Sequence, residues 1–147
     1  TRFIELAGEI NDYMPKYVVN NLVAALNTKS LSVNGSRILI LGIAYKKDID
    51  DVRCSPSLKI MDRLRDLGAS ISYSDPNIKE FPKIRDHYYD LKSIDIKSSG
   101  LDKFDAVVIC TDHSDFDYDF ISNNAKVIID TRGVYKNHNK HQNVFLS

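Results

Sequence analysis

The chain has 147 residues, 43% of them hydrophobic and 27% charged, which is typical of one globular domain with a real core. Lysine plus arginine and aspartate plus glutamate each number 20, and a net charge of zero argues against a general binder of nucleic acid or anionic membranes. The two cysteines fit neither a zinc motif nor a disulfide framework, and no apolar run approaches a membrane span or a secretory signal. We therefore expect a cytoplasmic protein in which any anion site is local.

A long amphipathic helix is predicted for residues 2–27, because apolar residues recur at spacings of three and four from Phe3 to Leu26. At about 1.5 Å per residue it would be about 40 Å long. Pro15 lies inside it and is expected to kink or divide it. The helix either packs along its own domain or forms a spine between two domains or subunits. Since helical periodicity follows directly on Thr1, which is not methionine, we expect a fragment of a longer polypeptide.

A strand–helix–strand unit follows. The run at 37–41 predicts a buried strand, and Ser55 with Pro56 predicts a helix N-cap and first helical position. The helix is expected to end at Gly68, and a second strand surrounds Tyr73. Such a unit favours two parallel strands joined by a right-handed crossover.

The second half of the chain continues this pattern. Residues 77–99 are poorly periodic, a third strand is predicted over 105–110, a short helix over 115–123 and a fourth strand over 126–130. After Tyr135 the tail is polar over residues 136–143, and we expect this segment to be frayed. The fold class is α/β, a Rossmann-like parallel sheet preceded by a long amphipathic helix.

Cations follow two of the predicted strands. Lys46 and Arg53 lie in the loop after the first strand, and Arg132 directly follows the fourth. In open α/β sheets ligands bind at the carboxyl ends of the strands, and lysine and arginine side chains bind phosphate or carboxylate. The alternative, which stays open on spacing alone, is that the loop lysines form surface ion pairs with the neighbouring acids Asp48, Asp50 and Asp51.

The first strand does not lead into the glycine-rich turn that holds a dinucleotide. Gly42 stands alone, and 13 residues separate it from Pro56. This chain is therefore not expected to hold the main NAD-binding half of an enzyme. Asp75 ends the second strand, where a Rossmann acid would meet a ribose, but without the glycine fingerprint an Asp-Pro turn is the favoured interpretation.

The sequence indicates no catalytic or metal-binding residue. His113 follows the third strand and is interpreted as a turn residue rather than a catalytic base, since no nucleophile accompanies it. Cys54 has no evident activating base and is taken as structural or incidental. His138 and His141 lie in the polar tail, and two histidines alone make a poor metal site.

Taken together, these segments resemble the C-terminal part of the UDP-glucose/GDP-mannose dehydrogenase family. The resemblance covers nearly the whole chain, and the loop from Lys46 to Arg53 is its most specific part. The motifs that carry it are Glu5–Asn11 with Met14-Pro15, Ile40–Asp48, Asp50–Arg53 with Ser55-Pro56-Ser57, Tyr73–Pro76 and Asp130–Gly133.

The resemblance implies an NAD-dependent enzyme that oxidises the C6 alcohol of a nucleotide sugar to a carboxylate through a cysteine-bound intermediate. Tyr45, Lys46 and Arg132 would contact the UDP-sugar, and Arg53 would reach NAD at the domain cleft. Residues 1–30 would be the linking and dimerisation helix, and 31–147 the C-terminal UDP-sugar-binding domain. The N-terminal NAD-binding domain and its catalytic cysteine are absent from this chain, so it should not turn over alone. The implied partners are a UDP-sugar and further copies of the chain in a homodimer or higher homo-oligomer, with no nucleic acid and no membrane.

Within the family, two motifs look most like the UDP-N-acetylglucosamine 6-dehydrogenase branch, which would serve surface polysaccharide synthesis. They are Phe81-Pro82-Lys83, and Thr111-Asp112-His113 with Phe116-Asp117-Tyr118. UDP-glucose 6-dehydrogenase is the near alternative, and a non-catalytic nucleotide-binding or assembly module is the alternative from another class. One departure bears on Arg53: the family usually has glutamate where Cys54 stands, which removes a carboxylate beside the arginine.

Overall fold

The computed structural model describes residues 1–84, 88–136 and 142–147, with the side chains of residues 11 and 12 left out. Helices and strands alternate along most of the chain, as the sequence predicts. In chain order they are α1 (Arg2–Asn27), β1 (Arg37–Leu41), α2 (Pro56–Asp66), β2 (Ser70–Ser74), α3 (Ile96–Ser99), β3 (Ala106–Ile109), α4 (Tyr118–Asn124), β4 (Ile128–Asp130) and β5 (Val144–Leu146).

The strands form one parallel sheet in the order β2-β1-β3-β4-β5. The chain leaves β1 toward one edge of the sheet and returns to the other side of β1 as β3. The strand order therefore reverses between β1 and β3, where the carboxyl ends of open α/β sheets leave a crevice. This confirms the α/β, Rossmann-like fold class.

Both faces of the sheet are covered at its centre, which explains why β1 after Arg37 and the whole of β3 are apolar without interruption. The edge strand β2 alternates serine with Ile71 and Tyr73. Ile38 and Ile40 of β1 face a core shared with α1 and α2, whereas Leu39 and Leu41 face a second core with α3 and α4. Strand side chains alternate between faces, so the run of residues 37–41 supplies both cores. The result is a sheet between two helical layers.

Among the described side chains of α1, the buried ones all lie in its carboxyl half. Val18, Leu22 and Leu26 are buried, whereas Phe3 is 81% exposed and Ile10 53% exposed. The interpretation that the helix packs along its own domain therefore holds for its carboxyl half. The amino half presents apolar side chains outward, and a spine between domains or subunits stays a prediction. The helix is unbroken through Pro15, so a division there is wrong, while a kink stays a prediction.

The carboxyl end of the chain contains a strand that the sequence did not predict. Residues Val144–Leu146 form β5, which pairs in parallel with β4. Most of the segment expected to be frayed, residues 137–141, lies outside the described part of the chain. Asn143 holds this strand in place by donating from Nδ2 to the carbonyls of Ser122 and Ala125, at 3.0 and 2.8 Å. His138 and His141 lie outside the described residues. Within the described ranges, no helix is long and apolar enough to span a membrane.

Candidate functional site

A cleft of about 640 Å³ opens at the carboxyl ends of β1, β3 and β4, on the side of the sheet covered by α1 and α2. It brings together three predicted ligand-binding residues from two separate loops. The lining consists of Met14, Pro15, Val18, Tyr45, Lys46, Cys54, Pro56, Lys59, Ile60, Cys110, Thr131 and Arg132. Cations on one wall and apolar helix residues on the other suit a ligand with both an anionic and an apolar part.

Lys46 and Tyr45 enter the cleft from the loop after β1. The Lys46 ammonium lies 5.6 Å from the centre of the Tyr45 ring, and Tyr45 as a residue is 44% exposed. The base of this turn is closed by the Tyr45 N–H, which donates to the carbonyl of Asp51 at 2.7 Å. The turn therefore presents a charge and an aromatic face side by side.

Arg132 enters the cleft from the loop after β4. Its Nε donates to the carbonyl of Cys110 at 2.8 Å, and its backbone N–H donates to Oδ1 of Asp130 at 3.1 Å. The other oxygen of the buried Asp130 accepts from the N–H of Tyr135 at 2.9 Å. The guanidinium is thus held by Nε at the end of β3, in an orientation fixed by neighbouring backbone.

Buried hydroxyls fix the floor of the cleft. The Ala44 carbonyl accepts from Thr111 Oγ1 at 2.7 Å and from Ser55 Oγ at 3.2 Å, which ties both ends of the loop after β1 to the loop after β3. Ser57 Oγ donates to the carbonyl of Ile43 at 3.1 Å. Ser55 also caps α2 by accepting from the Ser57 N–H, as predicted. The amino end of α2 is thereby directed at the cleft, and a helix amino end favours anions.

Arg53 does not line this cleft. Its side chain is 81% exposed and forms a bidentate ion pair with Asp51, with Nη2 2.9 Å from Oδ2 and Nε 3.1 Å from Oδ1. The hydrogen bonds from Arg53 lower the pKa of Asp51 to about 2. Asp51 therefore supplies the carboxylate partner that the Cys54 position lacks.

The acid at the end of β2 has a structural role. Asp75 is 1% exposed, and its carboxylate accepts from the backbone N–H of Ile43 at 2.9 Å and of Asn77 at 2.8 Å. Its Oδ2 also lies 2.9 Å from Nε2 of the fully buried His113. This agrees with the Asp-Pro turn, and the burial of Asp75 leaves no carboxylate oxygen accessible to a ribose. His113 is likewise buried, and it begins a turn in which its carbonyl accepts from the N–H of Phe116 at 3.4 Å.

The two cysteines lie in different surroundings within the same cleft. Cys54 is exposed and has a left-handed backbone, with φ 59°. Cys110 is buried, and burial raises the pKa of its thiol to about 12, although nearby Arg132 acts in the opposite direction. Neither thiol has a neighbouring base among the described contacts, and those residues contain no cluster of three or more metal-binding side chains.

Sequence reasoning missed Lys59 and the contribution of α1. Lys59 lies at the end of the first turn of α2 and lines the cleft. A cation at the amino end of a helix is electrostatically disfavoured unless an anion lies nearby. The position of Lys59 in the sequence could therefore have indicated an anionic ligand. Met14, Pro15 and Val18 carried no such signal, since periodicity shows an apolar face but not what it contacts.

The fold and the cleft define a Rossmann-like α/β domain with a cation-lined cleft at the carboxyl ends of its strands. Residues 39–137 match the UDP binding domain of the UDP-glucose/GDP-mannose dehydrogenase family. The chain belongs to this family, and the matched part is the family's UDP binding domain.

Its relatives include enzymes named for N-acetylated sugars. A UDP-N-acetyl-D-mannosamine dehydrogenase from Methanococcus vannielii is 34% identical over 146 residues, covering 94% of this chain and 31% of the relative. The structure of an NDP-N-acetyl-D-galactosaminuronic acid dehydrogenase from Methanosarcina mazei superposes with a TM-score of 0.76 at 27% identity, covering 97% of this chain and 30% of that one. The UDP-N-acetyl-mannosamine dehydrogenase of S. aureus gives a TM-score of 0.68 at 30% identity, with 94% and 32% covered. The chain thus spans about a third of the length of the proteins it matches.

Proposed function

We propose that this chain is the nucleotide-sugar-binding domain of an NAD-dependent UDP-N-acetylhexosamine 6-dehydrogenase. The observation that supports this proposal most directly is that Tyr45, Lys46 and Arg132 line one cleft at the carboxyl ends of the strands. In the whole enzyme this domain would hold a UDP-sugar while its C6 alcohol is oxidised to a carboxylate.

The roles follow from the chemistry of each side chain. Lys46 and Arg132 supply positive charge to the two phosphates, and Lys59 adds a third cation at the amino end of α2. Tyr45 offers a half-exposed aromatic face beside Lys46 for an apolar or planar part of the ligand. A diphosphate is the natural ligand for such a group of cations, because it carries at least two negative charges within a few ångströms.

NAD, which carries out the hydride transfer when bound, does not fit the turn after β1. Gly42 has φ +81°, but a Cβ placed there would lie 2.5 Å from Cβ of Thr111, so the space beside it is already filled by protein. Asp75 is 1% exposed, so its carboxylate is not accessible to a ribose hydroxyl. We therefore propose that NAD is held mainly by another domain, and that the outward-facing Arg53 reaches it from this one.

The identity of the hexosamine is a finer proposal. The sequence motifs favour N-acetylglucosamine, whereas the relatives reported above are named for N-acetylmannosamine and for an N-acetylgalactosaminuronic acid. We propose an N-acetylated hexosamine, with the mannosamine epimer first because two of those three relatives carry that name. A screen of the whole enzyme for NADH formation with UDP-N-acetylmannosamine, UDP-N-acetylglucosamine and UDP-glucose decides among them.

We also propose that the amino half of α1 is covered by a second copy of the chain, giving a homodimer. Phe3, Ile4 and Ile10 are more than half exposed on this half, and such apolar side chains favour association. Sedimentation over a range of concentrations would show a dimer that dissociates on dilution. A monomer at every concentration would refute this proposal.

Calorimetric titration with UDP tests the binding role of the cleft. Lys46→Ala is expected to weaken UDP binding about 10- to 150-fold, since a charged hydrogen bond contributes about 1.5–3 kcal/mol. Lys47→Ala is the matched control, because this neighbouring lysine is exposed but does not line the cleft. Equal affinities of the Lys46→Ala variant and the parent would refute the assignment.

A further inference from the structure

The loop that carries Lys46 is anchored by a buried side chain outside the cleft. Asp48, two residues after Lys46, donates its backbone N–H to Nδ1 of His113 at 2.9 Å. The Asp48 carboxylate accepts from Ser114, at 2.7 Å from the backbone N–H and 2.6 Å from Oγ. Asp48 has a left-handed backbone, with φ 62°, a region that aspartate enters more readily than most residues other than glycine. The hydrogen bonds thus tie the loop after β1 to the loop after β3.

The protonation of His113 follows from its partners. Nδ1 faces the N–H of Asp48 and must accept, so the ring proton lies on Nε2 and is donated to Oδ2 of Asp75 at 2.9 Å. Both His113 and Asp75 have side chains that are 0% exposed. Asp75 in turn accepts from the N–H of Ile43, which stands just before the cleft loop. The ring therefore joins the ends of β2 and β3 to the loop after β1.

We infer that His113 is a positioning residue for nucleotide binding, which holds the Lys46 turn at the cleft through the backbone N–H of Asp48. His113 does not line the cleft and is fully buried, so it acts through the loop rather than on the ligand. This inference rests on the proposed UDP site. A flexible lysine binds phosphate more tightly when its backbone is already placed, because less freedom is lost on binding.

Two variants separate this role from a merely structural one. His113→Asn places an amide oxygen where Nδ1 lies and keeps an acceptor for Asp48. His113→Gln places an amide nitrogen where Nε2 lies, so it keeps the bond to Asp75 but leaves the Asp48 N–H without its acceptor. We expect His113→Gln to weaken UDP binding about 3- to 10-fold, as for one lost hydrogen bond. Of the two variants, His113→Gln should show the smaller loss of thermal stability, because it keeps the bond to Asp75. His113→Asn is expected to keep nearly the parent affinity although it melts at a lower temperature. Affinities that fall in step with stability in both variants would overturn the inference.

A double-mutant cycle tests whether the effect passes through Lys46. In the Lys46→Ala background, His113→Gln is expected to change UDP affinity less than twofold, because the group it positions is gone. A full additive loss would overturn the inference.

Amide hydrogen exchange gives a readout that needs no ligand. The Asp48 amide is expected to lose protection in His113→Gln and to keep it in His113→Asn. If the parent does not bind UDP, the proposed function fails, while unchanged protection in His113→Gln would by itself overturn the anchoring role of His113.

Discussion

Replacement of Gly42 by alanine tests how closely the loops after β1 and β3 approach each other. A Cβ at this position would lie 2.5 Å from Cβ and 2.6 Å from the carbonyl oxygen of Thr111, and the residue has φ +81°. Gly35 is a matched control, since its φ is +83° but nothing lies within 4 Å of a Cβ built there. The two substitutions therefore share the backbone strain and differ in the steric clash.

The expected losses follow from these two contributions. An L-residue in the left-handed region costs about 1–2 kcal/mol, so Gly35→Ala should reduce the free energy of unfolding by about that amount. At Gly42 the neighbour that must move is backbone, and overpacking typically adds about 1–3 kcal/mol, which gives a total of about 2–5 kcal/mol. Because Thr111 Oγ1 also holds the Ala44 carbonyl at 2.7 Å, the shift should weaken UDP binding as well.

Urea unfolding followed by circular dichroism measures both variants against the parent. Gly42→Ala is expected to lower the unfolding midpoint clearly more than Gly35→Ala, with unchanged slopes. Equal losses for the two variants would mean that Thr111 does not approach Gly42 as described. A loss confined to Gly35→Ala would contradict the assignment of strain at both positions.

Two further outcomes follow from individual side chains. A thiol reagent should modify Cys54 in the native protein, and bound UDP should slow this reaction, whereas the buried Cys110 should react only on unfolding; equal native rates would contradict the described cleft. Burial raises the pKa of Tyr73 from 10.0 to about 12, so the folded state keeps a proton that the unfolded state loses. Its contribution to stability is complete below pH 10 and falls as pH rises from 10 to about 12, and Tyr73→Phe should show a shallower alkaline loss in urea midpoints than the parent. An identical pH profile for both would refute this origin.

Local chemistry explains why much of the fold was predictable. The β1 run 37–41 is apolar on both faces, and Ser55 with Pro56 forms a cap whose geometry depends on only a few residues. By contrast, β5 is a three-residue strand that is stable only because β4 lies beside it and Asn143 bonds to residues near α4. A short apolar triplet after a polar tail carries no signal of such a partner.

The candidate site was likewise predictable only in part. Lys46 and Arg132 could be placed at one edge because each follows a strand of a parallel sheet. The separation of Arg53 from the cleft could not be predicted, since it depends on which way a loop turns after Val52. The burial of His113 was equally hidden, because its partners Asp48 and Asp75 come from distant parts of the sequence.

Helix α1 serves two surfaces at once, and this has a thermodynamic consequence. Met14, Pro15 and Val18 form part of the cleft wall, while the preceding turns expose apolar side chains such as Ile10. Anything that binds those turns and changes the tilt of the helix also changes the width of the cleft. Ligand binding and helix association are then thermodynamically linked. Association changes the ligand's binding constant by the same factor by which the ligand changes the association constant. A nucleotide titration repeated at several protein concentrations measures that coupling free energy directly.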